Sequence, residues 1–117
     1  MKLIRSFVAA AVVLVLGTAH PAGADTTASS TITQIKILAS CDPNYRLFHG
    51  ALWLEYDKAT ANYRWGGEHC GNNTLSDMKV SVLFSAFRSR DNVTIDFTTH
   101  KYKGRSYRCI TGFSITR

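Results

Sequence analysis

Between Asn62 and Asn73 the chain reads NYRWGGEHCGNN, which gathers Tyr63, Arg64, Trp65, Glu68, His69 and Cys70 into twelve residues. Four chemistries could use such a stretch. A metal site would need more ligands than it offers. His69 and Cys70 are adjacent, neighbours on a strand point to opposite faces, and the chain contains no Cys-x-x-Cys or His-x-x-x-His spacing. No metal and no other cofactor is expected. A cysteine nucleophile would need a depressed thiol pKa beside a positioned histidine, and a thiolate at Cys70 would not survive an oxidising compartment. Acid–base hydrolysis could draw on His49, Glu55, Glu68, His69 and His100, although no spacing among them demands it. Carbohydrate recognition matches the mixture best: aromatic faces stack on sugar C–H patches while Arg, Glu and Asn satisfy hydroxyls. The candidate ligand-binding residues are therefore Tyr63, Arg64, Trp65, Glu68, His69 and Asn72. A plainer reading stays open beside it, in which Tyr63 or Trp65 fills the core while Arg64 faces water. Trp53, flanked by Leu52 and Leu54, reads as core.

The compartment follows from the other end of the chain. Lys2 and Arg5 precede an unbroken apolar run, Phe7 to Gly17, and Ala22-Gly23-Ala24 supplies small residues for cleavage before Asp25. This is the pattern of a signal peptide over residues 1–24, and its run is too short for the roughly 20 residues that span a bilayer. The expected product is secreted or periplasmic, without a membrane span. It leaves about ninety residues, enough for one small domain with a thin core. The whole chain carries a net charge of +6, and it stays positive without Lys2 and Arg5. The basic residues are scattered apart from Arg88/Arg90 and Lys101/Lys103/Arg105/Arg108, so a solvated face rather than nucleic-acid binding is expected.

The elements that must position these side chains can be read in order. Residues 25–30 are small and polar and are expected to be a flexible leader, so the folded domain covers 31–117. Strands are expected over Thr31–Ser40, over Tyr45–Tyr56 with a bulge at Gly50, and from Asn62 to a break at Gly66-Gly67. Leu75–Arg90 could be strand or helix. Its apolar residues at Leu75, Met78, Val82 and Ala86, its length, and a capping pair at Thr74 and Asp77 favour the helix. Alternating strands follow at Val93–Thr99 and at Ser106–Thr116, where Tyr107, Cys109, Thr111, Phe113 and Ile115 should share one face. "HKYKGR" between them reads as a basic loop. The fold class is mainly β with one helix, in the order β-β-β-α-β-β.

Three cysteines in an oxidising compartment imply one disulfide and one leftover thiol. In an antiparallel meander the end of the first strand and the end of the third lie at the same edge. Cys41–Cys70 is thus the favoured pair, leaving Cys109 as a buried thiol; Cys70–Cys109 is the next choice.

The layout resembles the pentamer-forming B subunits of bacterial AB-type toxins, in the style of the subtilase-cytotoxin and pertussis-like subunits. The residues that carry the likeness are ITQIKI (Ile32–Ile37), VLFSAFRSRDNVTIDF (Val82–Phe97) and CITGFSI (Cys109–Ile115). The resemblance implies a small OB-like barrel, assembly into a homo-pentamer beside a separate enzymatic A chain, and binding of a cell-surface glycan of sialic-acid or other type. It matches no glycan-contacting motif residue by residue. The expected function is a secreted, non-catalytic carbohydrate-binding domain of toxin B-subunit type. A secreted or periplasmic domain that binds or inhibits a protein partner is the alternative, and a small secreted hydrolase is a further one.

Overall fold

The computed structural model describes residues 24–117. The expected signal peptide, its last residue aside, lies outside the described residues. The elements in chain order are β1 (Ala24–Thr26), β2 (Ile32–Ile37), β3 (Gly50–Leu54), β4 (Asn62–Trp65), a 3₁₀ turn (Glu68–Cys70), a helix α1 (Asp77–Ser89), β5 (Asn92–Tyr102) and β6 (Arg105–Thr116). The fold is mainly β with one helix, as the patterning requires. No helix among the described residues is long and apolar enough to cross a membrane.

The six strands form one sheet in the order β1-β5-β6-β4-β3-β2. Strands β2, β3 and β4 make the antiparallel meander expected from the sequence, and β5 and β6 make a long hairpin. The two halves meet where β4 and β6 run parallel, with Arg64 opposite Cys109. The sheet is not closed, so the expected barrel is an open, curled one. Its edge strands β1 and β2 are consecutive in the chain, and the link between them, residues 27–31, spans at most about 17–20 Å. The sheet must therefore bend until its outer edges approach. Ser30 stands at that approach: its backbone pairs with Val93 of β5, and its hydroxyl accepts from the Tyr56 amide just past β3 at 2.9 Å.

The segment expected to be a flexible leader is thereby fixed. Ala24–Thr26 pair with Thr98–Asp96, the Thr27 amide donates to the Ile95 carbonyl, and the Thr27 hydroxyl accepts from the Ile95 amide. Short polar side chains that can bond backbone groups suit an edge strand as well as a tail, and composition alone does not separate the two.

The core lies on one face of the sheet under α1. Leu52, Leu54, Tyr63, Leu83, Val93 and Ile95 are fully buried. The helix follows the expected span but not the expected stripe. It buries Leu83 and Ala86, with Val80 and Phe87 half-buried beside them, and leaves Met78, Val82 and Phe84 exposed. Its N-cap is Ser76, whose hydroxyl accepts from the Lys79 amide at 3.3 Å, rather than Thr74, whose hydroxyl bonds Nδ1 of His49 at 2.9 Å.

Two strands are shorter than expected. Residues 45–49 turn instead of extending, because the Asp42 carboxylate accepts from the Asn44 amide and the Asn44 carbonyl accepts from Leu47. Gly50 is paired rather than bulged; a Cβ there would collide with the Trp65 ring. The hairpin is longer than expected, since HKYKGR continues both strands around Lys103-Gly104. A register shift leaves Thr111 unpaired between Ile110, opposite Phe97, and Gly112, opposite Asp96. Alternation restarts there. Phe113 and Ile115 thus share the core face with Ile110, while Tyr107 and Cys109 point to the other face, so the expected five-residue stripe is split.

Candidate functional site: an arginine cleft beside the 3₁₀ turn

Register partners share a face, and one row runs across the sheet through Thr98, Cys109, Arg64, Ala51 and Lys36. This is the face opposite the core. Here the connection after β4 folds back. Gly66 and Gly67 have φ of 77° and 71°, a region a side chain rarely adopts, and they reverse the chain so that Glu68–Cys70 lies on the sheet. Four contacts hold it there. His100 Nδ1 bonds the His69 carbonyl at 2.8 Å, Tyr102 donates to Glu68 Oε1, and His69 stacks on Tyr107 at 4.0 Å between centroids. The fourth is covalent: Cys70 is joined to Cys109, with Cα atoms 5.6 Å apart, and Cys41 is free and exposed.

That bond corrects the favoured pairing. The meander reasoning places β2 to β4 properly, but the chain enters a turn after Leu38 in which Cys41 is exposed and unbonded. The parallel join of β6 to β4, which no local pattern announces, puts Cys109 beneath the turn instead. The disulfide itself accords with an oxidising compartment.

The candidate ligand-binding residues separate along the strand. Tyr63 and Trp65, at 0% and 2% exposure, fill the core and offer no ring face to a ligand. Tyr63 donates to Asp57 Oδ2 at 3.0 Å, and its phenol pKa is raised well above its usual range, chiefly by burial. Arg64 points to the other face. Its guanidinium lies between two rings, 4.3 Å from the centroid of Phe48 and 4.8 Å from that of Tyr107. Nε donates to Asn62 Oδ1 at 3.0 Å, and Nη1 donates to His69 Nδ1 at 2.6 Å.

Arginine has only donors, so His69 Nδ1 must present a lone pair and the ring must be neutral, with its proton on Nε2. Burial lowers the His69 pKa, and the positive charge of Arg64 lowers it further, against a smaller opposing effect of Glu68. Glu68 forms an ion pair with Arg46 at 2.8 Å, and the Tyr102 hydroxyl and then Arg46 depress its carboxyl pKa. Asn72 is exposed in a left-handed turn, φ 65°.

Beside this assembly β4 and β6 diverge, and the gap between them is an open cleft of about 360 Å³ lined by Asn62, Arg64, Arg105, Ser106, Tyr107 and Arg108. Of the six candidate residues only Arg64 lines it; His69 positions Arg64 from behind. The basic cluster after Lys101 and the aromatic residues Phe48 and Tyr107 were not assigned to the site from sequence. Tyr107 was recognisable as facing with Cys109, but the join between distant strands that brings both to Arg64 was not. Among the described residues no group of His, Cys, Asp and Glu could hold a metal ion. His49 is stacked on Tyr45 at 3.9 Å, apart from the cleft. No family model, curated protein or solved structure matches the chain.

Proposed function

We propose that this chain is an exported, non-catalytic domain that binds carbohydrate in the cleft between β4 and β6. The observation that carries the reading is the preorganised Arg64: a guanidinium held between Phe48 and Tyr107 and oriented by Asn62 and His69, at the wall of an open polar cleft. A fixed fork loses little freedom on meeting a ligand, and the amide of Asn62 with the hydroxyls of Ser106 and Tyr107 suits a hydroxyl-rich partner. The layout likeness to toxin B subunits extends the proposal to a recognition component that assembles as a ring and travels with a separate enzymatic chain.

A glycan array with the purified protein tests the reading, repeated with Arg64→Ala and Tyr107→Ala. Binding to a defined glycan set, weakened about tenfold or more by either change, is expected. Binding to no glycan, or binding indifferent to both changes, would exclude this site. Native mass spectrometry tests the ring, with a five-fold multiple of the chain mass expected. The protein-binding reading keeps one observation in its favour: Met78, Val82 and Phe84 stand 77%, 42% and 41% exposed on α1.

A further inference from the structure

The cleft is unbalanced in charge. Arg64, Arg105 and Arg108 all line it, and among the described residues none of the three has a carboxylate within ion-pair distance; the ion pairs present are Arg46–Glu68 and Arg117–Asp91. The nearest acidic group along the chain, Glu68, is already held by Arg46 and Tyr102. Arg64 is half-buried, and a charge withdrawn from water without a counter-charge is costly. Burial lowers its pKa and the neighbouring Arg105 adds to that effect, against the opposing influence of Tyr107.

The cleft is also unbalanced in hydrogen bonding. Of the five donors on Arg64, Nε and one on Nη1 have partners. Both donors of Nη2 and the second of Nη1 remain, a fork that matches two oxygens of one group. Asn62 Oδ1 is engaged by Arg64, so the side chains facing the cleft offer mostly donors. A neutral sugar needs donors and acceptors in similar measure; an oxyanion needs donors alone.

We infer that the ligand of this cleft carries an oxyanion, a sulfate or carboxylate borne on a saccharide, seated between the Arg64 fork and the guanidinium of Arg105; Arg108 bounds the gap from the opposite face, where it donates to the Tyr63 hydroxyl at 3.3 Å. The inference rests on the carbohydrate reading above and names its class. Nucleic-acid phosphate shares the chemistry but is disfavoured: single strands bind along successive aromatic platforms, and among the described residues Tyr107 is the one aromatic residue that lines this cleft.

The test is calorimetric titration of the purified protein with a sulfated oligosaccharide, an oligogalacturonate, a neutral oligoglucan and single-stranded DNA, each at about 0.05 and 0.5 M salt. At least one acidic saccharide should bind about tenfold or more tightly than the neutral one, and whichever binds distinguishes sulfate from carboxylate. Arg105→Gln, an exposed position, should lose about tenfold. Arg64→Lys, which keeps the charge but not the fork, should also weaken binding, while Arg88→Gln with Arg90→Gln, on the helix end, should not. Neutral oligoglucan binding as tightly as the acidic saccharides overturns the inference and leaves the carbohydrate reading standing, and so does indifference to Arg105→Gln with an unchanged melting temperature. Tighter binding of DNA than of any saccharide overturns both. If no saccharide binds but inorganic sulfate shifts the Arg64 and Tyr107 resonances in the protein and not in Arg105→Gln, the carbohydrate reading falls and the oxyanion seat remains.

Discussion

At the scale of single residues, the pair Arg64 and His69 is the most constrained feature of the site. The histidine must stay neutral to accept from the guanidinium, so its protonation removes a hydrogen bond and sets two cations against each other. The groups facing the ring are Arg64 from β4, Tyr107 from β6, Tyr102 from β5 and Phe48, with Glu68 adjacent in the chain. Because folding lowers the His69 pKa, the unfolded chain takes up the proton first. The His69 contribution to stability is complete above its ordinary value of 6.5 and declines as pH falls from there through the folded value. Glu68 acts with the same sign in a more acidic window, below its ordinary 4.5. Urea midpoints measured at falling pH should therefore drop near neutrality in the parent protein. In His69→Gln, whose carbonyl can still accept from Arg64, that first drop should be absent while the more acidic one persists. An identical profile for the two proteins would refute the neutral-acceptor role.

The same strand shows how far single residues could be read. NYRW contains its own answer, because alternation sends Tyr63 and Trp65 to one face and Arg64 to the other. Any reading that gave all three to a ligand was in conflict with period two.

Among the elements, the 3₁₀ turn depends on a bond to a strand 39 residues away in sequence. In the chain-entropy view, closing such a loop stabilises by about 4 kcal/mol. The double change Cys70→Ser with Cys109→Ser should lower unfolding free energy by that order in denaturant titration. It should also release the stacking of His69 on Tyr107. The same changes at Cys41 should do neither, since that thiol is exposed and unbonded. Local pattern could identify strands β4 and β6 and the helix, because each satisfies its own periodicity. It could not identify their parallel join, which depends on packing across the whole sheet, nor the extra residue at Thr111 that turns half of β6 over. Deleting Thr111 should convert this stretch of the hairpin to a regular ladder, with Gly112, Phe113 and Ile115 still opposite Asp96, Ile95 and Val93. Amide exchange along β5 should then be no faster from Asn92 to Asp96 than in the parent protein, and a loss of protection there would refute the assignment of Thr111 as the extra residue.

For the molecule as a whole, the curl of the sheet is concentrated at Ser30. Its hydroxyl accepts from the Tyr56 amide while its backbone pairs with Val93, so one buried residue links the two approaching edges. Ser30→Ala leaves that amide without its partner and should cost about 1–3 kcal/mol. The loss should appear as a lowered denaturant midpoint and as faster exchange at Tyr56. Overall architecture was legible as far as five of the six strands, the helix position and the three-strand meander. The edge strand β1 was hidden because its short polar residues would serve equally in a tail, and whether the sheet closed was hidden because no local pattern encodes its curvature.

The parallel contact of β4 with β6 has a mechanical implication. The meander and the hairpin are joined there along a brief seam, and the arginine cleft opens where that seam parts. Arg64 belongs to one half and Arg105 to the other, so anything gripped by both acts as a rivet across the junction. Occupancy should stiffen the protein at a distance from the ligand itself, slowing amide exchange along both flanks of the seam together.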